Sequence, residues 1–146
     1  MAESKRASPA RTALQGREGL LVWQPTPVVV VISGPSGAGK DAAIKRLCEL
    51  DHSIHFVVTA TSRPQRPGER DGVDYHFLSP EEFERRLERG EFLEHAIVYG
   101  ESKGILRQEL TDALACGQDV ILRVDVQGAC TLRQLLPDAV YVFLVA

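Results

Sequence analysis

The apolar positions of this chain alternate between short continuous runs and longer stretches with helical spacing. Residues 28–33, VVVVIS, form an unbroken apolar run, the pattern of a strand covered on both faces in a parallel sheet. From residue 40 to about 50, Ile44, Leu47 and Cys48 recur on one face at helical spacing, which predicts a helix. Residues 55–60, HFVVTA, predict a second strand, and 73–78, VDYHFL, alternate as a half-buried strand does. Between them residues 61–72, TSRPQRPGERDG, are polar and broken by Pro and Gly, the composition of an irregular loop. Ser79-Pro80-Glu81-Glu82 opens a helix with Ser as N-cap, Pro at the first helical position and Glu three residues after the cap. Gly90 ends it.

Further along, residues 91–100 predict a strand, 104–116 a helix closed by Gly117, 119–125 a buried strand, about 127–135 a short helix and 139–146 a last strand. Strands separated by helices over most of the length imply an α/β domain with a mainly parallel sheet. The chain carries no internal repeat.

A length of 146 residues with 44% apolar composition suits one soluble domain with one sizeable core. Residues 1–26 are rich in Ser, Ala and Arg and lack periodicity; they read as a disordered leader, with an organelle-targeting remnant as the alternative that Glu3 and Glu18 weaken. The net charge of −3 provides no global attraction to nucleic acid or an anionic membrane, so anion binding must come from local clusters. The apolar run at 28–32 is too short to span a bilayer. Cys48, Cys116 and Cys130 are far apart and without metal-ligand spacing, which reads as buried thiols in a reducing compartment.

Gly34-Pro35-Ser36-Gly37-Ala38-Gly39-Lys40 fits G-x-x-x-x-G-K between a predicted strand and a predicted helix. In this pattern glycines let the backbone approach phosphate oxygens, the lysine neutralises the β and γ phosphates, and the helix N-terminus faces the same anion. Asp41 stands where the pattern has Ser or Thr. A carboxylate there meets a favourable helix dipole and is a hard oxygen ligand for Mg²⁺, so Asp41 is the expected metal ligand. In the polar loop, Arg63 and Arg66 are separated and followed by Pro64 and Pro67. Two guanidinium forks on a stiff loop suit a phosphate monoester.

Four segments, SGPSGAGK, TSRPQRPGERDGVDYHF, EEFERRLERGEFLEHAIVYG and VDVQGA, occur in the order and spacing of a guanylate kinase. From about Val28 to Ala146 the chain resembles that family, and the spellings GKD, YGESKG and LRVDVQG resemble its plant organellar branch. The resemblance implies a P-loop NTPase three-layer α/β fold, with a core over 27–60 and 101–146 and a small GMP-binding α+β insert over about 61–100. It implies transfer of the γ-phosphoryl of ATP to GMP, with Mg²⁺ on the donor phosphates and a monomer in a chloroplast or mitochondrion, the cytosol being the alternative. Residues 34–41 would bind ATP. Lys40 and Arg63 would be catalytic, Arg63, Arg66 and Tyr75 would hold the GMP phosphate, and Glu69 would support the arginine loop. Glu94 and Asp125 would read the base, because guanine N1–H and its exocyclic NH₂ are adjacent donors for an acceptor-only carboxylate. Thr59 would donate to guanine O6. Asp125 could instead support Mg²⁺ through water.

The chain also departs from the family pattern. Lys103-Gly104-Ile105 replaces Tyr-Gly-Ser or Tyr-Gly-Thr, so Lys103 would hold the phosphate as a point charge and Ile105 offers no hydrogen bond. Arg123 replaces an aspartate and makes its strand end less acidic. The family continues past the position of Ala146 into a lid bearing arginines, so the expectation is either a piece of a longer enzyme or a form with impaired chemistry. Two alternatives stand beside the kinase: a guanylate-kinase-like binding module, which the intact phosphate loop disfavours, and a small kinase for another phosphorylated acceptor, which Glu94 with Asp125 disfavours.

Overall fold

The protein is described by a computed structural model that covers residues 14–15, 21–22 and 25–145. The expected disordered leader falls mainly outside these residues; within it, two-residue strands β1 (Leu14–Gln15) and β2 (Leu21–Val22) pair antiparallel. The valine run forms β3 (Val29–Ser33), the phosphate-loop helix is α1 (Lys40–Leu50), and β4 (His55–Phe56) follows. Next come β5 (Ala60–Thr61), β6 (His76–Phe77), α2 (Pro80–Glu88), β7 (Phe92–Val98) and β8 (Glu101–Leu106). The chain closes with α3 (Arg107–Ala115), β9 (Val120–Arg123), α4 (Val126–Leu135) and β10 (Val140–Phe143).

Strands β10, β3, β9 and β4 form a four-stranded sheet in that order, parallel throughout. Alternation along β3 and β9 divides the core between its two faces. Val31, Val120 and Leu122 join Leu110 and Ala113 of α3 and Leu132 of α4 on one face; Ile32 and Ile121 meet Ile44 of α1 on the other. Helices on both faces explain why the valine run shows no polar alternation.

The second sheet, in the order β6-β5-β8-β7, is mixed. Phe83 of α2 stacks on Phe92 of β7 with ring centroids 4.4 Å apart and seals its core with Ala60. Ser79 caps α2 as its sequence predicts, its hydroxyl accepting from the Glu82 N–H at 3.1 Å.

Three elements differ from the sequence pattern. Residues 55–60 are two strands in two different sheets. Val57 donates to the Ile121 carbonyl at 3.1 Å, but the Val58 N–H is taken by the Glu109 carboxylate at 3.2 Å, which ends the ladder and sends the chain to the second sheet. The same carboxylate contacts His55 of β4 at 3.1 Å and His76 of β6 at 3.2 Å. The half-buried strand expected over 73–78 shortens to β6, because Val73 and Asp74 donate to the Arg70 carbonyl in a turn. The helix expected over 104–116 begins at Arg107; residues 101–106 form β8, whose hairpin with β7 supplies the ladder bonds that outweigh local helical pattern. The cysteines are not the buried thiols expected: Cys48 is half-buried, and Cys116 at the end of α3 and Cys130 on α4 are exposed.

Candidate functional site

A cleft of about 770 Å³ opens between the C-terminal ends of the parallel strands and the second sheet. Ligand sites of open α/β sheets lie at this edge. The expected phosphate-loop residues Gly34, Pro35, Ser36, Gly37, Gly39, Lys40 and Asp41 all line it, and Ala38 lies outside its lining. Gly34 has φ of 150°, and a Cβ there would run into the Leu144 carbonyl oxygen. The loop therefore leaves β3 along a path only glycine can take. Lys40 Nζ folds back onto the loop and donates to the Gly34 carbonyl at 2.7 Å and the Pro35 carbonyl at 3.0 Å. Burial lowers its pKa, Asp41 opposes the shift, and Arg123 and Lys103 add to it. An ammonium under that pressure gains from a phosphate partner.

Across the cleft lies the arginine loop. Arg63, 7% exposed, donates in a fork to Glu69, Nη1 to Oε1 at 2.7 Å and Nη2 to Oε2 at 2.8 Å. The Arg66 backbone N–H donates to the same Glu69 Oε1 at 2.8 Å, so one carboxylate holds the Arg63 side chain and the Arg66 backbone. The fork holds Glu69 at about 2, far below an ordinary carboxylate, and raises Arg63. The Arg63 guanidinium lies 5.1 Å from the Tyr75 ring centroid, and Lys103 Nζ lies 5.6 Å from the same ring. Arg63, Arg66 and Lys103 thus bring three cations to one wall of the cleft, with the Tyr75 ring among them.

Thr59, Glu94 and Asp125 converge on the end between the sheets. Thr59 occupies the crossover from β4 to β5, where its hydroxyl reaches the Arg123 carbonyl at 3.4 Å. Glu94 points inward by the ordinary alternation of β7, sharing its buried face with Phe92 and Ala96, and the register with β8 shifts between Phe92 and Glu94, where a β-bulge lies. Glu94 is 5% exposed, and its Oε1 has no hydrogen-bond partner among the described residues. Desolvation, with Asp125 adding repulsion, pushes its carboxyl up to about 7. The carboxyl lies against the first turn of α4, where a Cβ on Gly128 would come within 2.9 Å of Glu94 Oε1. Asp125 also caps α4, Oδ1 accepting from the Gly128 N–H at 2.9 Å.

Two departures take on structural meaning. Ile105 turns away from the cleft into the main core with Val31 and Leu122. Arg123 does the reverse. Its Nη1 donates to Asp41 Oδ1 at 2.6 Å, its Nη2 to the Asp74 carbonyl at 3.2 Å, and its guanidinium lies 4.5 Å from the Tyr75 ring centroid. Asp41, the expected metal ligand, is thereby engaged by a guanidinium. Among the described residues no three His, Cys, Asp or Glu side chains cluster as a metal cage. A phosphate-bound Mg²⁺ needs only one or two carboxylates and keeps its waters, so Asp41 fits such an ion when it gives up Arg123. In the sequence Arg123 reads only as lost acidity; its position at the end of a parallel strand, two residues before a capping aspartate, is the signal that places it at the cleft.

A sequence model described as guanylate kinase matches residues 26–146. The chain is 58% identical over 123 residues to guanylate kinase 2, chloroplastic/mitochondrial, of Oryza sativa subsp. japonica, an alignment covering 84% of this chain and 43% of that protein. It is 48% identical to a guanylate kinase of Symbiobacterium thermophilum, over 84% of this chain and 58% of the relative. The crystal structure of guanylate kinase from Anaplasma phagocytophilum superposes with a TM-score of 0.69 at 35% identity, covering 81% of this chain and 59% of that one. The chain thus spans about half the length of the relatives it matches.

Proposed function

The chain belongs to the guanylate kinase family, and from that premise we propose that it phosphorylates GMP with ATP to give GDP and ADP. The observation that carries the reading is Glu94, a buried carboxyl with an unpartnered oxygen facing a cleft that holds a phosphate loop at its other end. A buried acceptor without a donor is costly, and the adjacent N1–H and NH₂ of guanine relieve it. Adenine presents an acceptor at N1 and leaves the cost in place. Asp125 and Thr59 complete the base site beside Glu94.

The acceptor phosphate would sit among Arg66, Arg63, Tyr75 and Lys103, with Glu69 holding the two arginines in register. The donor phosphates would lie on the 34–40 loop and the α1 N-terminus, drawing Lys40 off the loop carbonyls. Mg²⁺ supplies charge neutralisation on those phosphates when bound, and Asp41 would be its protein ligand. Holding two anions in line is most of what phosphoryl transfer requires of a protein. The organellar type of the rice relative supports placement in a chloroplast or mitochondrion.

A coupled assay of ADP formation with GMP, AMP and dTMP as acceptors tests the reading. GMP should be the preferred acceptor, and Glu94→Gln should lower GMP affinity by about 10²-fold, the scale of one charged hydrogen-bond pair. Equal rates with GMP and AMP would sink the guanine assignment. GMP binding without turnover in the wild-type chain would favour a binding module.

A further inference from the structure

We propose that Arg123 is a further phosphate-contacting catalytic residue, parked on Asp41 at rest and transferred to the phosphoryl group that passes between the two nucleotides. The inference rests on the kinase reading above. It starts from where the side chain lies. Arg123 ends β9 beside the phosphate-loop strand, its backbone paired with Ile32. Its guanidinium spans the gap between the two halves of the cleft: Asp41, in the first turn of α1 on the donor side, and Asp74 with Tyr75 on the acceptor side. Lys40 feels its charge directly. A cation that touches both the donor helix and the acceptor loop lies on the line that a phosphoryl group must cross.

The chemistry of the resting contacts supports exchange. The Arg123 side chain is 10% exposed and packed between the Phe56 and Tyr75 rings, whereas that of Asp41 is 73% exposed. The guanidinium is therefore preorganised by aromatic faces, and its carboxylate partner is held loosely from the solvent side. A fork with five donors fits phosphate oxygens at least as well as a single carboxylate oxygen. Polyphosphate arriving on Lys40 and the α1 N-terminus brings more negative charge than Asp41 and repels that carboxylate. The guanidinium then turns from Asp41 to the phosphate without leaving its aromatic slot. Charge building on the transferring group is met by a group already in place, so little reorganisation is needed at the moment of reaction.

A structural clamp would give the same resting contacts, and the two ideas separate in binding measurements. The probe is a bisubstrate analogue joining adenosine and guanosine through five phosphates, titrated in metal-free buffer beside ATP alone and GMP alone. Arg123→Gln should weaken the analogue by about 10²-fold and lower kcat by a similar factor or more, as loss of a preorganised donor does, with each single nucleotide changing less than about fivefold. Asp41→Asn should tighten the analogue, and tighten it more with Arg123 present than in the Arg123→Gln background, because only then does it release a donor. If Asp41→Asn weakened the analogue as Arg123→Gln does, or if Arg123→Gln weakened all three ligands equally with a fall in Tm, Arg123 would be a clamp and the inference wrong. An equal gain from Asp41→Asn in both backgrounds would be plain charge relief and would also overturn it. A wild-type chain that bound neither ATP nor GMP would sink the kinase reading itself; one that bound both, with the analogue indifferent to Arg123, would sink this inference alone.

Discussion

A carboxyl buried without a partner holds its proton more tightly than one in water, and Glu94, pushed up to about 7, consequently titrates near neutral pH. Under the proposed function guanine recruits the ionised form, so GMP affinity should rise roughly tenfold between pH 6 and 8, and Glu94→Gln should flatten that slope in isothermal titrations. Stability runs the other way. The native state keeps a proton that the unfolded chain gives up near the ordinary 4.5, so the unliganded fold should lose on the order of 1–3 kcal/mol as pH rises from there through 7. Glu69 has the opposite sign: held down at about 2 by the Arg63 fork, it contributes stability that is complete above 4.5 and fades as pH falls toward 2. Gly128 couples folding to the site. Gly128→Ala adds a good helix former to α4, worth up to about 1 kcal/mol, but its Cβ would crowd the Glu94 carboxyl and, at 3.1 Å, the Cβ of buried Val124. Thermal melts should show a net loss of stability and GMP affinity should fall with it.

The elements show which parts of the fold were legible. Ser79-Pro80 with Glu82 announced α2 because capping is local chemistry, and Ser79→Ala should cost about 1 kcal/mol in urea titrations. The phosphate loop was legible for the same reason: strand, glycines and helix follow one another within a few residues. The break in residues 55–60 was hidden, since the carboxylate that ends the strand at Val58 comes from Glu109, far along the chain. The β7–β8 hairpin was hidden too, because its turn uses Tyr99-Gly100 rather than a typical Asn-Gly pair. Tyr99 holds φ of 53° and is 91% exposed. Tyr99→Asn should therefore stabilise the hairpin by about 0.5–1 kcal/mol, a gain visible in the urea midpoint. The candidate acceptor residues can be named one by one from the sequence, but their grouping with Arg123 around one cleft depends on strand order, which periodicity does not encode.

At the scale of the molecule, a chain of net charge −3 sets Lys40, Arg63, Arg66, Lys103 and Arg123 around one cleft together with Asp41, Glu69, Glu94, Glu101 and Asp125. Attraction for an anion there comes from where individual cations stand and not from a field of the whole molecule. The cleft has two walls, one from each sheet, and the chain passes between them at 57–59 and again where β8 hands over to α3 at 106–107. Glu109 grips both crossings: it sits in the first turn of α3 and binds the Val58 N–H, with one histidine from each sheet on its two oxygens. In mechanical terms Glu109 ties the two sheets at both crossings, and if the two walls turn against each other with each sheet rigid, this side chain is the pin of that hinge. Glu109→Ala should make the Val58 amide exchange with deuterium much faster without exposing the ladders of either sheet, and uniform loss of protection would show that the two walls unfold together instead of turning about a pivot.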